Sequence, residues 1–176
     1  MTKPIGPSKR PQDFGFKLGD SHIIVNDIVE TAKAYDFHGK LLWEIPALAR
    51  GQGSDYVYSE TGSDTVPGLY RLGQLYNDYA IHGDNPAFDR TLRAYGWMSF
   101  DLVELDGRES SYSRAGLMVH GGGTLNGWPG AWKPRQPLVP TLGCVRVYNI
   151  DLRDKFLPLY KQGTVFVSVY QEPGSN

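Results

Sequence analysis

Apolar positions along this chain come in short runs that are cut off by Gly, Pro, Asn and Asp. His22–Asn26 (HIIVN) is rich in β-branched residues, Thr31–Phe37 (TAKAYDF) alternates, and Leu41–Ala47 (LLWEIPA) follows directly after His38-Gly39-Lys40. Two such runs around a short Gly-containing loop predict a hairpin. Pro46 places its second arm at a sheet edge or ends it early. Arg50–Asp64, rich in Gly, Ser and Asp, reads as a loop, and Val66-Pro67-Gly68 sets a turn before a short strand over Leu69–Leu72. Gln74–Arg93 shows no clear period beyond a short helix near Ala87–Ala94. Gly96–Val103, Gly116–His120 and Thr164–Tyr170 read as strands, and Gly121–Pro140 as a long Gly- and Pro-rich loop. Asn149 or Asp151 is placed to cap a short helix that Pro158 should kink or stop. Six or seven short strands with one clear helix predict a mostly-β domain, a sandwich or a barrel.

Composition narrows the function classes. The 176 residues fit one domain, large enough to bury a core without staples. Lys and Arg number 18 against 19 Asp and Glu, which gives none of the basic footprint that nucleic acid demands. No apolar run approaches a membrane span. A single Cys excludes an internal disulfide and a Cys-rich zinc site. His22, His38, His82 and His120 are scattered without a ligand spacing, so no metal is expected. A glycosidase would need a carboxylate pair, and no pair is marked out by spacing.

The chemistry-bearing candidates lie in the second half. Cys144 sits in Pro140-Thr141-Leu142-Gly143-Cys144-Val145-Arg146, and His120 ends a strand at the head of His120-Gly121-Gly122-Gly123. A thiol attacks as its thiolate, and a neighbouring imidazole is the commonest means of taking its proton. Glycines beside the His let a substrate backbone approach, and Gly143 leaves backbone N–H groups free to face an oxyanion. Singly, each residue has a plainer reading, since a lone Cys is usually a buried small hydrophobe.

Together, strand-His-Gly, a loop, then Thr-x-Gly-Cys-Val-Arg resembles the signature of the L,D-transpeptidase (YkuD-like) catalytic domain. Asp64-Thr65-Val66-Pro67-Gly68-Leu69-Tyr70 is similar to that family's Thr-Pro-x-Gly-x-(aromatic) turn and strand. Asn149–Val169 is similar to the segment after its nucleophile. The resemblance runs in family order over Ser21 to Tyr170. Residues 1–20 read from their own composition as a basic, Pro-rich, flexible lead-in, and the resemblance implies an L,D-transpeptidase-like β-sandwich or barrel over residues 21–176, with one or two short helices.

By resemblance, Cys144 is the nucleophile and His120 the base, oriented by the Gly121 carbonyl. The backbone N–H groups of Gly143 and Cys144 form the oxyanion hole. Arg146, Thr141, Gly122, Trp128 and Trp132 are the expected substrate-binding residues. Arg146 either holds a carboxylate or braces the loop. Trp128 and Trp132 form a lid or sugar platform, or anchor a long loop. The implied partners are peptidoglycan stem peptides or muropeptides, attacked between the third residue and D-Ala, with an amine (transpeptidase) or water (carboxypeptidase) as acceptor. No metal or organic cofactor is implied, and the oligomeric state stays open. One departure stands out: Leu142 occupies the position where the family usually has a second His. A non-catalytic peptidoglycan-binding module of the same fold is the alternative that this departure favours.

Met1–Asp13 (MTKPIGPSKRPQD) has no apolar core behind its basic residues, which is not the pattern of a cleavable secretory signal. Action on the wall then implies signal-less export, as for an antibacterial effector, or trimming of a leader. Cytoplasmic action on wall fragments is the other route.

Overall fold

The computed structural model describes residues 6–53, 58–60, 62–124 and 126–171. Part of the expected loop at 50–64 and the ends of the chain lie outside them. Eight strands form a closed barrel: β1 Ser21–Asn26, β2 Thr31–Asp36, β3 Leu41–Leu48, β4 Gly68–Asn77, β5 Met98–Glu104, β6 Met118–His120, β7 Val145–Val147 and β8 Val165–Tyr170. Their order around the barrel is β1-β2-β3-β7-β6-β5-β4-β8, and β8 closes on β1. The mostly-β expectation is met as a barrel rather than a sandwich. Two pairs are parallel, β1 with β8 and β6 with β7.

The predicted hairpin is β2 and β3, with Gly39 at φ 81° in its turn, where a side chain would be strained. Pro46 does not end β3, which runs on to Leu48, but it does lie on an edge stretch of that strand. Pairing of β3 with β7 starts only at Ala47 and Val147, so the missing N–H of Pro46 falls where β3 is bonded on one side alone. The strand expected over Leu69–Leu72 runs on to Asn77, past an irregularity between Leu72 and Leu75. That bulge breaks the alternation and hid its second half.

Helical segments fill the connections: α1 Asp78–His82, α2 Arg90–Tyr95, α3 Arg108–Ser111, α4 Asn149–Asp151 and α5 Leu157–Gln162. Between α4 and α5, Leu152–Phe156 winds as a π-helix. Pro158 therefore does not stop the helix; it sits in the first turn of α5, just after the wider turn, where a missing donor is tolerated. Neither Asn149 nor Asp151 caps this segment, whose N-cap is Tyr148. Phe156 meets Trp43 and Phe100 at ring-centroid distances of 5.4 and 6.1 Å, and with Leu152 and Leu159 it joins the helix to the core. Ahead of β1, the Ser8 N–H bonds Asp106 at 2.9 Å, and Phe16 packs edge-on to Phe37 and Phe166.

Two histidines couple this fold to pH. Burial holds both His22 and His120 down to about 4, against the usual 6.5. Below pH 6.5 the unfolded chain takes up protons that the native rings refuse, so stability is full above 6.5 and falls as pH drops toward 4. Glu109 works in the opposite sense, since burial raises it to about 7. His22 lies outside the cavity described below and bonds Ser168 Oγ through Nε2 at 2.7 Å, so it isolates the effect. His22→Gln is expected to flatten the fall of Tm between pH 6.5 and 4, followed by circular dichroism; parallel curves for variant and wild type would refute this.

Candidate active site

The site is built on the parallel pair β6 and β7, where Val119 faces Val145 and His120 faces Arg146. Val119, Val145 and Val147 are buried in the core. Strand alternation turns Met118, His120, Cys144 and Arg146 to the opposite face. There His120, Cys144 and Arg146 line one cavity of about 460 Å³, together with Thr141, Leu142, Gly123 and Thr124. Residues 24 positions apart are thus brought to one wall by strand pairing.

The imidazole is held from behind. Nδ1 of His120 lies 2.7 Å from the Gly121 carbonyl oxygen. A carbonyl can only accept, so Nδ1 carries the proton and Nε2 keeps its lone pair. The Tyr95 ring stands edge-on to the imidazole at 5.0 Å. Burial is the main cause of the low His120 value, the Arg146 charge adds to it, and the bond to Gly121 opposes it.

Cys144 is half-buried. Burial pushes its thiol up, while a hydrogen bond with the Met118 backbone and the charges of Arg146 and Arg114 draw it part of the way back. At neutral pH the pair is a thiol and a neutral imidazole, not the thiolate that the sequence alone suggests. Proton transfer then belongs to the attack itself rather than to the resting state.

The loop before Cys144 is fixed by Thr141, whose Oγ1 accepts from the Gly143 N–H at 3.0 Å and donates to the Cys144 carbonyl at 2.8 Å. The Gly143 N–H, one of the two expected oxyanion donors, is thus engaged by Thr141 in this conformation. Arg114, buried, lies against Gly143, where an added Cβ would meet its Nη2. Its Nη1 donates to the carbonyls of Tyr58 and Glu60 at 2.8 and 3.2 Å. Leu142, where the family's second His would stand, is exposed at the cavity wall.

The remaining candidates divide. Arg146 donates to three carbonyls, Gly121 (3.2 Å), Val139 (2.7 Å) and Ala94 (3.3 Å), so it braces the site. Burial lowers it to about 10, which leaves it charged at neutral pH. Gly122 does not line the cavity. It packs on α2, where an added Cβ would lie 2.5 Å from the Gly96 nitrogen. Trp128 and Trp132 are also absent from the cavity wall and line a separate hollow with Trp97 and Pro129. Trp132 is an anchor: it is buried, its Nε1 donates to Gly83 O, and its carbonyl accepts from Trp97 Nε1.

Sequence reasoning missed three contributors. Asn149, expected as a cap, is a hub. Its Nδ2 donates to the Ala131 and Lys133 carbonyls, and its Oδ1 accepts from the Trp97 and Gly122 N–H groups. A buried Asn satisfying four partners ties the Trp-bearing loop to the segment after His120. Arg90 and Arg93 of α2 also line the cavity. They fall in the short helix expected near Ala87–Ala94, where two arginines at i and i+3 are the only signal.

These features define a closed, mostly-β barrel with a tautomer-fixed histidine at the end of β6 and a cysteine immediately before its parallel neighbour β7. Similar barrels occur in solved structures. The helical cell shape determining protein Pgp2 from Campylobacter jejuni is 17% identical at a TM-score of 0.54, over 88% of this chain and 48% of that one. Bd1075 from Bdellovibrio bacteriovorus is 17% identical at 0.57, over 96% and 54%. An L,D-transpeptidase from Xylanimonas cellulosilytica aligns more loosely, at 0.46 with 17% identity over 88% and 62%. The chain thus spans about half the length of Pgp2 and Bd1075, and at these identities the likeness is one of fold. No protein-family model matches the sequence, and no curated protein is similar to it at the sequence level.

Proposed function

We infer that this protein is a cysteine acyl-transferase or peptidase of the L,D-transpeptidase kind, acting on peptidoglycan stem peptides. The observation that supports it most is the shared cavity wall of Cys144 and His120, with Nε2 left as a base by the bond from Nδ1 to Gly121. The motif resemblance and the barrel shared with a cell-shape protein agree with a substrate in the wall.

In the first step Cys144 Sγ attacks the carbonyl between the third residue and D-Ala while its proton passes to His120 Nε2. The oxyanion is held by the Cys144 N–H, a type of contact worth about 3 kcal/mol in the barrier. Collapse breaks the C–N bond, the proton on Nε2 goes to the departing amine of D-Ala, and a thioester remains. Water or an incoming amine then attacks the thioester, giving its proton to Nε2. The C–S bond breaks, and that proton returns to the sulfur.

The test is incubation of the protein with disaccharide-tetrapeptide muropeptides, read by mass spectrometry. Loss of one D-Ala would establish the carboxypeptidase and cross-linked dimers the transpeptidase. A second reading, a non-catalytic peptidoglycan-binding module, draws support from the raised Cys144 thiol and the engaged Gly143 N–H. Unchanged muropeptides that nonetheless bind the folded protein would favour it.

A further inference from the structure

Arg90 and Arg93 are left unexplained by the chemistry above. They lie on one face of α2, and with Ala94 and Tyr95 they line the cavity that holds Cys144 and His120. The helix is short but rigidly tied to the site. The Gly121 N–H donates to Tyr95 O at 2.9 Å, the Gly123 N–H to Arg93 O, and Arg146 Nη2 to Ala94 O. Whatever α2 presents is therefore presented at a fixed place relative to His120.

The charge of this wall is one-sided. Arg90, Arg93 and Arg146 line the cavity with no Asp or Glu beside them among the described residues. Arg146 has its donors occupied by three carbonyls. Arg90 and Arg93 are exposed, and among the described residues neither side chain makes an ion pair or hydrogen bond. Asp89, the acid placed to pair with Arg93 along the helix, instead accepts from the Thr91 and Leu92 N–H groups at the helix start. Asp78 and Asp101 line a different cavity, of about 320 Å³, which shares only Tyr95 with the first. In a chain of net charge -1, this concentrates positive charge where the substrate must lie.

We propose that Arg90 and Arg93 are the carboxylate-recognition pair of this cavity, selecting acyl donors that carry a free carboxylate close to the scissile bond. The proposal rests on the function inferred above and assigns its specificity. Guanidinium groups suit this task because their planar donors match a carboxylate, singly or as a fork. A stem tetrapeptide offers that chemistry from two sources, the C-terminal carboxylate of the leaving D-Ala and the side-chain carboxylate of the third residue.

The decisive experiment has two arms. In the first, kcat/KM is measured on the tetrapeptide muropeptide, on its C-terminal amide and on the form amidated at the third-residue side chain. The enzymes compared are wild type, Arg90→Ala and Arg93→Ala. Wild type is expected to lose about 10- to 100-fold on one of the two amides, carried mostly by KM, which identifies the source. The arginine variants should lose a similar factor on the free acid and little more on that amide. Arg93→Lys should restore part of the loss. The proposal falls if neither amidation matters, or if the variants lose equally on acid and amide.

The second arm needs no turnover. Alkylation of Cys144 by anionic iodoacetate and neutral iodoacetamide is compared at pH 9, as a rate ratio against a model thiol. Wild type should favour iodoacetate, less so in high salt, and Arg90→Ala/Arg93→Ala should lose that preference. A ratio that responds to the arginines in a protein inert toward muropeptides would refute the inferred reaction but not the anion site. An unresponsive ratio in an active enzyme would refute the anion site alone.

Discussion

Cys144→Ala is expected to abolish D-Ala release from tetrapeptide muropeptides, by about 1,000-fold or more, with the thermal unfolding curve unchanged. The substitution removes one sulfur from a half-buried position and disturbs no strand pairing. His120→Ala should cost about 100- to 10,000-fold, the usual contribution of a placed general base. The two variants separate base catalysis from ion-pair activation. Burial raises the thiol and lowers the imidazole, so His120 does not make Cys144 a thiolate at rest. Iodoacetamide should therefore label Cys144 slowly at pH 6 and ever faster to beyond pH 9. His120→Ala should leave that profile nearly intact while turnover collapses. A reactive plateau at pH 5–6 that disappears in His120→Ala would show a thiolate–imidazolium pair instead and overturn this account.

Much of the barrel can be read from the residues, because burial on one face imposes period two. Ile23 and Val25 of β1, and Ala32 and Ala34 of β2, are buried in alternation with more exposed neighbours. The spacing does not reveal the parallel pairing of β6 with β7. Each is three residues long, too short for a period, and their partnership is set by closure of the barrel. The Cys–His relation is legible only as a motif, whereas the shared face follows from that pairing.

Local rules mislead where a side chain serves the tertiary structure. Asn149 has the chemistry of a cap, but four backbone groups of three other segments compete for its amide and win. The N–H of Gly143, an expected oxyanion donor, is held by the hydroxyl of Thr141, two residues back. Arg90 and Arg93 carry no signal of function because exposed arginines on a helix are ordinary. Only the docking of α2 onto the Gly121–Gly123 segment makes them part of a wall.

Gly143→Ala is expected to damage both loop and activity, and for reasons that can be separated. Its φ of 114° lies where residues with a Cβ are strained. An added Cβ would lie 2.0 Å from Arg114 Nη2 and 3.2 Å from the Ser63 carbonyl. The guanidinium cannot simply swing away, since its Nη1 holds the Tyr58 and Glu60 carbonyls. Either the Thr141–Cys144 turn shifts or Arg114 abandons buried acceptors, and both routes cost about 2–4 kcal/mol. A fall in Tm of several degrees should accompany a loss of turnover of about 100-fold or more. Pairing Gly143→Ala with Arg114→Ala distinguishes strain from collision. Removing the guanidinium relieves the clash but not the φ penalty, so the double variant should be less unstable than the sum of the singles and still poorly active. A double variant with the additive loss would show that Arg114 and Gly143 do not press on one another, and that the position of the Cys144 loop is set elsewhere.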